Sequence, residues 1–232
     1  EEYRENLLSD IKFAGEIEFD HVWLAYNPGE WVLKDISFKI KPGEKIALVG
    51  HTGSGKTSIV NLMLGMYPYQ KGEIRIDGKP LSSYALHDIR ANIGIVQQDV
   101  FIFSRNIRDN IALNNDKLTD EEVVQVAKYV NADKFICKLP QKYQEPVMER
   151  GATLSTGQRQ LIAFARVLAY DPSIFILDEA TSNIDTETEL LIQDALKKIV
   201  VNRSSIIIAH RLSTIQHVDR ILVLHKGELV EE

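Results

Sequence analysis

The sequence predicts an α/β domain on a mainly parallel central sheet, and three observations predict it. Short apolar runs recur at Lys45–Val49, Ile174–Leu177 and Ile206–Ala209, the pattern of strands covered on both faces. Between them apolar residues take helical spacing, first at Ile59, Leu62, Met63 and Met66, then at Leu161, Phe164, Ala165 and Leu168. A Gly-rich turn joins one such strand to one such helix. Buried strands alternating with helices define the class.

Element by element, residues 1–15 read as a linker or the tail of a preceding segment. The first strand-like run begins at Glu16, alternates through Ile17 and Phe19, then continues less cleanly from Val22 to Tyr26. Asn27-Pro28-Gly29 supplies a turn. Val32 to Ile40 is a second extended stretch, closed by Lys41-Pro42-Gly43-Glu44. Gly72 to Ile76 with Asp77-Gly78 reads as strand and turn, and Ile93 to Val96 as a short strand. Thr119-Asp120-Glu121-Glu122 has the spacing of a capping box ahead of a helix through Val130. Asp171-Pro172 stops the helix that holds Leu161 to Leu168. A helix from about Thr186 to Val200 follows, and Arg220 to Leu224 is read as the last strand. The stretch from about 99 to 170 is helix-rich and reads as a helical subdomain inserted in the α/β core.

The 232 residues suffice for a buried core. Lys and Arg total 27 against 33 Asp and Glu, a net charge of −6, which does not favour a general nucleic-acid binder. One cysteine, Cys137, excludes an internal disulfide, fits a reducing compartment and is expected as a small buried residue. No apolar run approaches the roughly 18 residues of a membrane-spanning helix. The acidic start, Glu1 to Asp10, has no secretory leader pattern. The chain is expected to be soluble by itself, so any membrane role comes through something attached to it.

Gly50-His51-Thr52-Gly53-Ser54-Gly55-Lys56-Thr57 matches G-x-x-x-x-G-K-[ST] between a strand and a helix. Glycines let the backbone wrap a phosphate chain, and the helix start adds its positive dipole end. This loop, with Ser58 beside it, predicts nucleoside triphosphate binding: Lys56 on the β- and γ-phosphates, the Thr57 hydroxyl on Mg²⁺. Four apolar residues and then Asp178-Glu179 put two acids at the carboxyl end of a buried strand, where open α/β sheets bind ligands. Asp178 is suited to the Mg²⁺ shell. Glu179 is suited to polarise the attacking water.

Leu154-Ser155-Thr156-Gly157-Gln158, ahead of a helix and before Asp178, resembles the signature of ATP-binding cassette (ABC) ATPases. Tyr26 sits where that family stacks an aromatic on adenine, with Trp31 the competing aromatic. Gln98, with Gln97 beside it, matches the Q-loop glutamine. Ser182-Asn183-Ile184-Asp185 matches the D-loop, and His210 the switch histidine. Glu149-Arg150-Gly151 and the run Phe101 to Ile111, with Phe103-Ser104 and Asn110-Ile111, resemble exporter-type members. The resemblance covers nearly the whole chain. It implies a P-loop NTPase core over 16–232, with an N-terminal antiparallel β subdomain and the inserted helical subdomain, after a linker from a membrane segment over 1–15.

The resemblance further implies a motor that binds and hydrolyses ATP with Mg²⁺ at the cytoplasmic face of a membrane. Two such domains, alike or unlike, pair head to tail around ATP and drive a transmembrane domain. Ser155, Gly157 and Gln158 would meet the γ-phosphate across that pairing, with Asp185 nearby. Gln98 would sense γ-phosphate and Mg²⁺, and Glu179, His210 and Lys56 would carry the chemistry. The other histidines, His21, His51, His87, His217 and His225, read as ordinary residues, with only the backbone of His51 in use. Arg159, Arg166 and Lys197-Lys198 read as solvated helix faces. Thr156 stands where the family's commonest signature has Gly, a departure of small cost where no positive φ is needed. A soluble ABC ATPase acting on DNA or ribosomes and an ATP-holding clamp are the competing functions. The acidic balance and Glu149-Arg150-Gly151 count against the first, and Glu179 against the second. A P-loop kinase leaves Leu154–Gln158 and His210 unexplained.

Overall fold

A computed structural model describes residues 11–113, 115, 118–148, 151–178, 184–208 and 217–232. Glu179, His210, Glu149-Arg150 and Ser182-Asn183 lie outside the described residues. The described residues divide into two compact units, one from 11–94, 172–178, 202–208 and 217–232, the other from 95–113, 115, 118–148, 151–171 and 184–201.

The first unit holds two sheets. β1 (Ile17–Ala25) pairs antiparallel with β2 (Trp31–Ile40) and with β4 (Lys71–Ile76), which in turn pairs with the two-residue β5 (Lys79–Pro80). Ile17, Phe19, Val22 and Leu24 are buried along β1. Their alternation breaks where the register shifts between Phe19 and Val22, with His21 at φ 51°. An inserted residue of this kind flips the faces, which is why the sequence pattern loses its rhythm there.

The second sheet has the strand order β10-β9-β3-β8-β7-β6. β3 (Lys45–Val49) lies parallel to both β8 (Ser204–Ile208) and β9 (Arg220–His225), and β7 (Ile174–Asp178) lies parallel to β8. Every residue of β8 is buried, as are Ile174 to Leu177 of β7, the consequence of cover on both faces. β6 (Ile93–Val96) carries the chain out of this unit. The segment read as ending in Arg220–Leu224 continues into a further strand, β10 (Glu228–Glu231), antiparallel to β9. α1 (Lys56–Met63) buries Ile59, Leu62 and Met63. Met66, expected on the same face, lies past the helix end and is exposed.

Of residues 11–15, expected within a linker, Phe13 and Gly15 are buried. Phe13 is buried edge-on to Tyr84, and its N–H donates to Asn92, in α2 (Leu86–Asn92). The Asp77 carboxylate accepts the N–H groups of Ala14, Gly15 and Glu16.

The second unit is helical. It contains α3 (Ile107–Ala112), α4 (Asp120–Tyr129), α5 (Asp133–Ile136), α6 (Thr156–Ala169) and α7 (Thr186–Ile199). The Thr119/Glu122 capping box is formed at α4. α6 is the hub. α3, α4 and α7 all pack on it, so Ile162, Ala163 and Val167 are buried as well as Leu161, Phe164, Ala165 and Leu168. Cys137, expected buried, is exposed at the end of α5, where its thiol donates to Asp133.

Candidate functional site

The Gly-rich loop runs from the end of β3 to the start of α1. Gly50 has no room for a side chain, because a Cβ there would meet the Leu224 carbonyl and the Ser54 hydroxyl. Gly55 caps α1 at φ 109°, a conformation that favours glycine, and no side chain caps that helix start. Lys56 is buried, and its ammonium donates to the carbonyls of Gly50 at 2.7 Å and His51 at 3.1 Å. Burial pushes its pKa below the ordinary lysine value, partly opposed by the negative charge of Asp178. The loop thus closes on its own cation, with the His51 backbone in use and its imidazole exposed.

Two observations bear on what fits this loop. The Ser54 hydroxyl is buried without a hydrogen-bond partner among the described residues, and a phosphate oxygen is an acceptor of the kind it lacks. Thr57 is exposed in the first turn of α1, and half-buried Asp178 ends β7. One hydroxyl and one carboxylate are hard oxygen donors. They suit Mg²⁺, which keeps most of its shell as water and substrate phosphate. No cluster of three His, Cys, Asp or Glu that could hold a metal alone occurs among the described residues.

Tyr26 follows β1 directly and is 44% exposed. Its hydroxyl donates to Ser58, 3.0 Å away on α1, and its ring stands edge-on to Tyr67 at 4.9 Å. Tyr67 carries no sequence signal of a role, because it comes beside Tyr26 only through the fold. Trp31 is engaged elsewhere, edge-on to Trp23 with the Lys71 ammonium about 5 Å from both rings.

In the second unit, Ser155 caps α6 in a reciprocal box: its hydroxyl accepts from the Gln158 N–H, and the Gln158 carboxamide oxygen accepts from the Ser155 N–H. Gly157 is buried because α7 lies on it. Thr156 has no positive φ, so the residue that departs from the family's Gly is in unstrained backbone. Asp185 caps α7 by accepting from the Thr188 N–H, and this bond, first among its causes, holds its pKa below the ordinary carboxylate range. Gln98 is exposed and lines a cavity of about 510 Å³ with Asp99, Phe101, Thr156, Arg159 and Gln160; Gln97 is not among the lining residues.

Two arginines read as solvated helix faces are half-buried and hydrogen-bonded to backbone. Arg159 donates to the Gly151 and Leu154 carbonyls and to the Thr156 hydroxyl. Arg166 donates to the carbonyls of Asn110 at 2.9 Å and Phe101 at 3.0 Å, and burial pushes its guanidinium down to about 10. Fully buried Asn110 binds both the N–H and the carbonyl of Phe103. Together they hold the turn that presents exposed Phe101 and Phe103. Neither role shows in a helical-face pattern: Arg166's partners lie 56 and 65 residues away, and Arg159 turns back onto the residues just ahead of its own helix.

A family model described as ABC transporter matches residues 33–182. The chain belongs to the ABC transporter family. Among curated ABC relatives, it is 52% identical over 94% of its length to a probable multidrug resistance ABC transporter ATP-binding/permease protein of Bacillus subtilis. It is 44% identical over its whole length to the ATP-dependent lipid A-core flippase of Legionella pneumophila. The chain spans about a third of the first relative's length and 39% of the second's. It also matches, at TM-score 0.90 and 38% identity, the structure of a bacterial Atm1-family ABC exporter with ATP bound, over 98% of this chain and 40% of that one. The ABC ATPase fold expected from the sequence, with its antiparallel β subdomain, is thereby established. No helix among the described residues is long and apolar enough to cross a membrane.

Proposed function

We propose that this chain is the ATP-binding and ATP-hydrolysing motor of an ABC exporter, pairing head to tail with a second ABC ATPase domain around ATP and Mg²⁺. The observation that carries the reading is the β3–loop–α1 unit, closed on the Lys56 ammonium and ending in an uncapped helix start. Names of the relatives, which include multidrug, lipid and fatty-acid transporters, support export without selecting a cargo. The motor would work at the cytoplasmic face of a membrane on a transmembrane domain, supplied by the same chain or a partner.

In this reading the loop amides and Lys56 hold the phosphate chain, and Tyr26 stacks on the adenine. Thr57 and Asp178, with Gln98, would hold Mg²⁺, which supplies charge neutralisation at the phosphates when bound. Glu179 takes a proton from the attacking water, a contribution of roughly 10²–10⁴-fold for general-base assistance, and His210 fixes the geometry at the γ-phosphate. Ser155, Gly157, Gln158 and Asp185 act from across the pairing, where the N-terminus of α6 offers its amides to the γ-phosphate.

The test is the Mg²⁺-dependent ATPase rate against protein concentration, for the wild type and Glu179→Gln. A rate per protein that climbs with concentration and collapses in the variant is expected. A flat, negligible rate in both overturns the self-sufficient homodimeric motor.

A further inference from the structure

The first turns of α6 and α7 meet at one point. A Cβ on Gly157 would run into the Thr188 methyl, with Thr188 Cβ and Ile184 Cγ2 each at 3.3 Å. Gly157 has no positive φ, so steric approach and not backbone freedom demands glycine here. Thr188 sits in the turn that Asp185 caps: its N–H donates to Asp185 Oδ1 at 2.9 Å. A β-branched side chain in a helix has few χ1 positions open to it, and here its methyl lies against Gly157.

We propose that Thr188 is a positioning residue for ATP turnover: held in the turn that Asp185 caps, its methyl is the seat that sets where the Ser155–Gly157 turn presents its amides. The inference rests on the function proposed above, in which that turn meets the γ-phosphate. The contacting pair transmits position without touching substrate. Shifting α6 by the roughly 1 Å needed to clear the overlap with the Thr188 methyl misplaces amide donors whose catalytic value depends on placement within about 0.5 Å. Asp185 thereby acquires a definite task at its own helix.

Size complementation tests it in the full-length protein in membranes, with Gly157→Ala, Thr188→Ser and the double variant. Serine keeps the hydroxyl and the backbone N–H bond to Asp185 and deletes the methyl. Gly157→Ala should lower kcat at least tenfold, and Thr188→Ser about threefold. The double variant should regain at least fivefold over Gly157→Ala, a non-additivity that marks direct contact. Thermal melts of all four proteins separate positioning from mere packing. If melting temperature recovers in the double variant while kcat does not, or if neither recovers beside an active wild type, the inference is overturned and the proposed function stands. A wild type without Mg²⁺-dependent turnover overturns the proposed function and this inference with it.

Discussion

Replacing Asn110 with Leu asks how much the turn bearing Phe101 and Phe103 depends on one buried carboxamide. Asn110 is fully buried in α3. Its oxygen accepts from the Phe103 N–H at 2.8 Å, and its NH₂ donates to the carbonyls of Phe103 at 2.9 Å and Asn106 at 3.0 Å. Leucine is close in size but offers neither donor nor acceptor. The Phe103 N–H and carbonyl lose their partner, at a cost of about 1.5 kcal/mol each for a partly buried group. The new apolar burial returns about 1 kcal/mol. The net loss is about 2 kcal/mol, roughly a 30-fold shift toward the unfolded state. Urea denaturation read by far-ultraviolet circular dichroism, which follows the helices of the second unit, measures it, with an unchanged slope expected, and the Phe103 amide should lose hydrogen-exchange protection. A loss below about 0.5 kcal/mol with that amide still protected refutes the assignment of Asn110 as the post of the turn.

Three further outcomes follow from the same geometry. Thr156→Val removes the hydroxyl that accepts from Arg159; an exposed bond of this kind is worth about 0.5–1 kcal/mol, so ATP turnover should fall two- to fivefold, whereas a Thr156→Gly gain above tenfold contradicts a signature already functional with threonine. Tyr26→Phe should raise the ATP KM less than twofold and Tyr26→Ala at least tenfold, since the ring and not its bond to Ser58 is assigned to adenine; equal effects in a steady-state assay refute that division. Lys56 has a folded pKa below its ordinary value, so between the two values the unfolded chain binds more protons and stability of the nucleotide-free protein rises with pH. Thermal melts at increasing alkaline pH should show this slope in the wild type and not in Lys56→Met, and parallel curves would refute it.

What the sequence makes legible is what has a single local cause. β7 and β8 are buried on both faces and therefore read as apolar runs. The Thr119 and Ser155 helix starts come from contacts between residues three apart. β10 escapes notice because its residues are almost all exposed and only its pairing with β9 makes it a strand. Arg166 and Cys137 are misread for opposite reasons: the arginine's partners lie far away in sequence, and the cysteine's apolar type gives no clue that α5 holds it at the surface. In the candidate site, the residues that would touch nucleotide are named by motif. Those beside them, Thr188 by contact, Arg159 by hydrogen bonds and Tyr67 by its ring edge, belong to no motif.

The ammonium lodged between the Gly50 and His51 carbonyls would make nucleotide capture, in the role proposed for Lys56, in part a ligand exchange. Two of its three N–H donors already hold carbonyl oxygens, so any of these given up to a phosphate would count toward affinity only as the difference between two partners. The same internal partner ties the loop's two ends together without any anion. A substitution that weakens phosphate contacts without touching Lys56 is therefore expected to leave those two bonds in place. One that removes the amine alters the empty loop and the filled one together.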